Sequence, residues 1–157
     1  MRNLSRQEHG FTLTEIMVVV GIVGLLTALA VSNLQGVLLR QQKSAAAQEI
    51  QALLNQARSM ARSTAVPATV TLAQVATPPG GSIVAAIGAP TNWTRTLTLG
   101  AGSNYNAVGL VGGALGPFIF SPRGTVTPGA FTMNIQDRNG QTVTVSVGLL
   151  GDITITQ

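Results

Sequence analysis

The sequence predicts an α+β fold: one long N-terminal α-helix, membrane-spanning in its first half, packed on a C-terminal antiparallel β-sheet head. Three observations carry this expectation. No charged residue occurs from Ile16 to Leu39, a run of 24 residues. Apolar residues then recur at helical spacing as far as Met60. Beyond Val66, Thr, Val, Gly and Ile dominate in alternating runs, which is strand and turn chemistry.

The composition excludes several functions. Charged residues are 9% of the 157, against about 25% in an ordinary soluble domain. The absence of Cys excludes a disulfide scaffold, a thiol nucleophile and any Cys-ligated metal. His9 is the only histidine, so a His triad or His-rich metal centre is excluded too. The net charge of +4 reflects few acids and many arginines rather than a dense basic surface.

The first element is a polar leader, residues 1–10, carrying Arg2 and Arg6. The uncharged run that follows meets the requirement of about 20 apolar residues for a membrane span. A secretory signal peptide fits less well, since its apolar region is about 7–15 residues long. Ala28-Leu29-Ala30 would be its cleavage site. A buried core helix is disfavoured because the run is apolar all round rather than striped.

Glu15 interrupts the apolar block that begins at Phe11. A charged side chain at the centre of a membrane helix costs roughly 2.5–3.5 kcal/mol. Near the interface it can snorkel, and that is one reading of Glu15. The other follows if the chain is cut before Phe11. Glu15 then lies four residues from a new amino terminus, about 6 Å along the helix axis. In parallel helices with a small stagger, the carboxylate of one copy would meet the amine of the next and set the register.

Gly10-Phe11-Thr12-Leu13-Thr14-Glu15, followed by an apolar helix, resembles the type III signal of type IV pilins and pseudopilins. The resemblance covers the leader and roughly the first 30 residues after it. It implies that a prepilin peptidase cuts between Gly10 and Phe11 and methylates the Phe11 amine. It further implies that Glu15 serves filament assembly, with other pilin subunits and an inner-membrane assembly platform as partners. Charge leaves topology open, because Arg2 and Arg6 on one side balance Arg40 and Lys43 on the other. The resemblance places the leader in the cytoplasm, the helix in the inner membrane and the head in the periplasm, before incorporation into a pilus or pseudopilus. Ser32 departs from the pattern, since many pilins have a helix-bending Pro there. Gly21, Gly24 and Ala28 give the helix small faces, suited to close packing or simply typical of membrane helices.

Helical spacing continues through Ala46, Ile50, Leu53, Leu54, Ala57 and Met60, with Gln41, Gln42, Lys43, Gln48, Gln51, Gln56 and Arg62 on the other faces. A single helix over 11–62 would be about 78 Å long. It divides into a membrane or filament-core part, 11–39, and an amphipathic part, 40–63. A coiled coil would need more heptads, so packing on the chain's own sheet is preferred. Ser63, Thr64 and Pro67 end the helix.

The β-rich head spans 64–157, and the fragment 40–157, which keeps the amphipathic part, is expected to be soluble without residues 1–39. Its strands are expected at 66–76, 82–87, 93–99, 117–121, 130–136, 141–147 and 152–156. The clearest hairpin sets Phe131, Met133 and Ile135 against Val143, Val145 and Val147 across Asp137-Arg138-Asn139-Gly140. Thr142, Thr144 and Ser146 would face outward. The tail resembles the minor pilin group that includes the H-type secretion pseudopilins. The resemblance lies in Phe120 and Gly124, the hairpin, the turn from Gly148 to Gly151, and the helix end Gln56–Arg62. Some DNA receptors of that group carry a basic Gly-Arg turn, where this chain has Leu149, Leu150 and Asp152.

No constellation for catalysis is present. Gly109–Gly116 lacks the Lys-Ser/Thr and following helix of a phosphate loop, and reads as a flexible loop. Asn92-Trp93-Thr94 matches a glycosylation acceptor by composition only. Trp93 and Tyr105 read as loop anchors. Asp137 and Asp152 read as isolated carboxylates, too few for an acid–base pair or a calcium site. Arg95, Arg123 and Arg138 could meet DNA phosphates, but solvated surface is preferred. The expectation is therefore a non-enzymatic minor pilin or pseudopilin without cofactor or metal. A DNA-binding minor pilin of a competence pilus and a major pilin are the alternatives.

Overall fold

The computed structural model describes residues 11–113 and 116–156. One helix, α1, runs from Leu13 to Thr64, and nine strands follow it among the described residues. The chain divides between Val37 and Leu38 into two compact units.

In the first unit, the part of α1 up to Val37 exposes its described apolar side chains, from Leu13, Ile16 and Met17 to Leu34 and Val37. By length and composition the helix is apolar enough to cross a membrane. Thr27 remains compatible with that surface because its hydroxyl donates to the Val23 carbonyl at 2.7 Å. A Cβ built at Gly21 or Gly24 would meet nothing within 4 Å.

In the second unit, the helix from Ala46 to Ala61 buries Ala46, Ala47, Ile50, Leu53, Leu54, Ala57 and Ala61 completely. They join Val70, Ile83, Leu110, Phe120, Met133, Ile135 and Val145 in one core. The amphipathic segment thus covers its own β-structure, as its periodicity requires. Each fully buried Leu or Ile contributes roughly 1.5–3 kcal/mol.

The helix ends where its residues compete for its own carbonyls. The hydroxyls of Thr64 and Ser63 both donate to the Met60 carbonyl, at 2.7 and 3.1 Å. Ala65 follows with φ of 56°, the left-handed conformation that a helix C-cap usually gives to Gly. The Ala65 side chain makes this conformation unfavourable by roughly 1 kcal/mol. Ala65→Gly is therefore expected to stabilise the head by about 0.5–1 kcal/mol, net of glycine's larger unfolded-state entropy. Urea denaturation checks this; a loss of stability would show that the cap is not strained.

The β-structure is divided between two antiparallel sheets. The first contains β1 (Ala68–Ala73), β2 (Ser82–Ile87), β3 (Trp93–Thr98), β5 (Phe118–Phe120) and β6 (Val126–Thr127), in the order β3-β2-β1-β5-β6. The second contains β4 (Val108–Gly113), β7 (Phe131–Asp137), β8 (Thr142–Val147) and β9 (Ile153–Thr156), in the order β4-β7-β8-β9. The Phe118 and Phe131 rings, one from each sheet, stack with centroids 3.6 Å apart.

The hairpin has the expected register, with Phe131 opposite Val147, Met133 opposite Val145 and Ile135 opposite Val143. Its turn is a three-residue loop, however. The Asp137 N–H donates to the Gln141 carbonyl, the Gly140 N–H donates to the Asp137 carbonyl, and Gly140 has φ of 78°. This is a type I turn closed by a bulged glycine rather than an Asn-Gly two-residue turn.

The segment expected to be a flexible loop, Gly109–Gly116, is instead largely strand: β4 takes in Gly109 to Gly113. Ala114 and Leu115 lie outside the described residues. Glycine occupies position 109 because the β1–β2 connection crosses it. The Gly80 N–H donates to the Val108 carbonyl, and the Leu110 N–H donates to the Gly80 carbonyl. A Cβ at Gly109 would stand 2.9 Å from the Gly80 nitrogen and 3.0 Å from the Pro78 Cα. A strand glycine that marks close backbone approach looks, in sequence, like loop composition.

Candidate functional site

The residues predicted to carry assembly lie at the start of α1. Gly10 lies outside the described residues. Phe11 is 80% exposed, and Glu15 is exposed in the first helical turn. Thr12 caps the helix: its hydroxyl accepts from the Glu15 N–H at 3.3 Å, and its carbonyl accepts from the N–H groups of Glu15 and Ile16. Thr12-Leu13-Thr14-Glu15 is thus the Thr-x-x-Glu pattern of a helix start, with Glu15 at the third helical position. Its carboxylate also faces the positive end of the helix dipole. Both signals were present in the sequence, and they give Glu15 a role within its own chain besides any role toward a neighbour.

In the head, two residues read separately come together. Lys43 and Asp137 form a buried ion pair at 3.0 Å, with side chains 6% and 1% exposed. Contrary to expectation, Lys43 therefore does not lie on a solvated polar face of the helix, and Asp137 is not an isolated carboxylate. Lys43 also donates to Gln141 Oε1 at 3.2 Å. Asp137 Oδ1 accepts from the N–H groups of Asn139 and Gln141, at 2.9 and 3.0 Å. One carboxylate therefore caps the hairpin turn with one oxygen and fastens it to the helix with the other. Burial pushes the Asp137 carboxyl up, but the Lys43 hydrogen bond, the two backbone N–H groups and the Lys43 charge together bring it below its ordinary value.

A second polar cluster holds the opposite sheet. The Tyr105 hydroxyl donates to Glu49 Oε2, which makes Tyr105 the expected anchor of its loop. That hydrogen bond, with burial and the Glu49 charge, raises the phenol to about 12, so it remains a donor. Trp93 instead opens β3 opposite Ile87. Arg95 donates to Gln56 Oε1 and lies 3.9 Å from Glu49.

Two arginines at the helix end, Arg58 and Arg62, explain the glycine turns. Arg58 donates to the Leu150 carbonyl, and a Cβ at Gly151 would stand 2.6 Å from the Gly124 carbonyl oxygen and 2.8 Å from Arg58 Nε. At Gly124 a Cβ would run into the Arg62 guanidinium. Gly124 and Gly151, which also have φ of 86° and 74°, are the turn positions against which the two guanidinium groups lie.

For the DNA-phosphate reading, Arg95 is engaged as described and Arg138 donates to the Asn106 carbonyl at 3.4 Å, while Arg123 is exposed. At the turn where a basic pair would sit, Leu149 and Leu150 are 61% and 71% exposed. Among the described residues no three His, Cys, Asp or Glu side chains gather as metal ligands.

The long apolar helix, its first-turn Glu and the two-sheet head together define a pilin-like subunit. The family profile described as Type II transport protein GspH matches residues 46–151. The profile described as Prokaryotic N-terminal methylation motif matches residues 5–31. Two crystal structures of the type IV minor pilin FimU from Pseudomonas aeruginosa PAO1 share the fold. One, in space group P21, has 18% identity and a TM-score of 0.56, covering 75% of this chain and 90% of FimU. The other, in P65, has 19% identity and a TM-score of 0.52, covering 73% and 92%. No curated protein matches the chain at a significant level. The chain belongs to the GspH family, within the type IV pilins and pseudopilins. Members of these families are structural, non-enzymatic subunits that assemble with other pilins after processing by prepilin peptidase.

Proposed function

We propose that this chain is a minor subunit of a type IV pilus or a type II secretion-type filament, anchored in the inner membrane before assembly. The observation that carries this reading is the exposed apolar helix that opens with Phe11 and Glu15 and leads into a head of the GspH family. Prepilin peptidase cuts between Gly10 and Phe11 and methylates Phe11. The helix, 11–39, holds the subunit in the membrane with the head in the periplasm, and the assembly platform transfers it into the filament. The chain performs no catalysis and uses no cofactor.

The N-terminus of the membrane-bound or filament form is expected to be methylated Phe11, as read by N-terminal sequencing and intact mass. A start near Val31 would instead indicate removal of an ordinary signal peptide. Gly10→Ala is expected to block most processing, since the family resemblance implies a peptidase pocket with little room for a side chain.

A competence role as a DNA receptor is disfavoured. Two of the three candidate arginines are bound within the head, and the late turn presents leucines. Purified head is expected to show little DNA affinity at physiological salt. Sub-micromolar binding that weakens steeply with salt would favour the receptor reading.

A further inference from the structure

A cavity of about 480 Å³ opens at the base of the head, lined by Arg40, Lys43, Ser44, Gln141, Thr142 and Val143. Its polar groups are matched unequally. Both oxygens of Asp137 are occupied, one by Lys43 and the other by two backbone N–H groups. Gln141 Oε1 accepts from Lys43, which leaves the amide N–H groups of Gln141 free to donate. Asp137 neutralises Lys43. The exposed Arg40 has no hydrogen bond or ion pair among the described residues. The cavity therefore offers one uncompensated guanidinium, the hydroxyls of Ser44 and Thr142, and an amide donor. This set matches a singly charged phosphodiester, which a guanidinium binds through two parallel hydrogen bonds.

The position indicates the source of that phosphate. Arg40 directly follows Leu39, the last residue of the uncharged run. In a membrane-anchored subunit it emerges at the level of the lipid head groups. We propose that this cavity binds the phosphate of an anionic phospholipid head group and holds the base of the head at the membrane surface until the subunit is extracted. The proposal rests on the membrane-anchored reading given above.

The test is titration of the full processed chain, in uncharged detergent, with phosphatidylglycerol, followed by native mass spectrometry. One retained lipid per chain is expected. Arg40→Gln is expected to weaken retention by about fivefold or more, the scale of one basic residue at an anionic surface. Thr142→Val should weaken it further, whereas Arg123→Gln, on an exposed turn outside the cavity, should leave it unchanged. Retention unaffected by Arg40→Gln, or reduced equally by Arg123→Gln, overturns the proposal. Displacement of the lipid by equimolar inorganic phosphate also overturns it, because the site would then serve a free anion. Membrane recovery of each variant reports separately on anchoring: intact recovery with no lipid retained sinks the proposal and leaves the anchored reading standing.

Discussion

Glu15→Gln subunits are expected to be cleaved and inserted normally but to be nearly absent from filaments. Glu15 has a role within its own helix and a proposed role toward a neighbour, and the two are separable. Glu15 occupies the third position of a helix capped by Thr12, and Gln serves that position nearly as well. The substitution therefore keeps the helix start, its size and its hydrogen bonding, and deletes only the charge. Removing a carboxylate also makes membrane insertion easier rather than harder. Under the proposed register pairing, what is lost is the partner for the Phe11 amine of the neighbouring subunit. Breaking a buried pair on one side costs roughly 3–5 kcal/mol, more than about a hundredfold in an assembly equilibrium. Glu15→Ala and Glu15→Leu also remove the polar side chain at the third helical position, leaving the Thr12 cap in place, and should be at least as defective in filaments. Cleavage, membrane level and filament content of the three variants are the measurements. Incorporation at wild-type level in all three would remove register pairing from this subunit's role; a tip subunit, with no neighbour ahead of it, would behave that way.

Lys43→Met is expected to destabilise the head by roughly 3–5 kcal/mol, because it leaves a buried carboxylate without its cation. The double variant Lys43→Met with Asp137→Asn should recover much of that loss. The Asn carbonyl can still accept the N–H groups of Asn139 and Gln141, and no charge remains buried. Urea denaturation of a head fragment, 40–157, measures both; a loss under about 1 kcal/mol in the single variant would mean that water compensates the carboxylate. The pair also sets an acid limit. Asp137 titrates below its ordinary value of 3.8 in the folded head, so the unfolded chain takes up the proton first as pH falls. Its stabilisation is complete well above 3.8 and is lost as pH drops toward the folded-state value. In the double variant this dependence should disappear.

Local chemistry made much of the molecule legible. The uncharged run from Ile16 to Leu39 needed only hydropathy and length, and the helix face from Ala46 to Met60 needed only its period. The β7–β8 register followed from alternation, since a one-residue slip would turn Phe131, Met133 and Ile135 out of the core. Glu15 stood out as a candidate because a carboxylate within an apolar block has few physical explanations. Thr12 was the missed part of that site, although Thr-x-x-Glu before an apolar run is itself a local signal.

By itself, then, the sequence determined the long helix, its division into an uncharged and an amphipathic part, the β-rich head, and the candidate role of Glu15. Each depends on residues close together in the chain, where hydropathy and period act directly. Only the tertiary structure decided that Lys43 and Asp137 are partners, that Arg58 and Arg62 lie against Gly151 and Gly124, and that Gly109 sits inside a strand beneath Gly80. Those choices depend on which distant segments meet. A lone lysine, an aspartate in a turn and a glycine in a run are each compatible with solvent until packing excludes water and leaves one partner within reach.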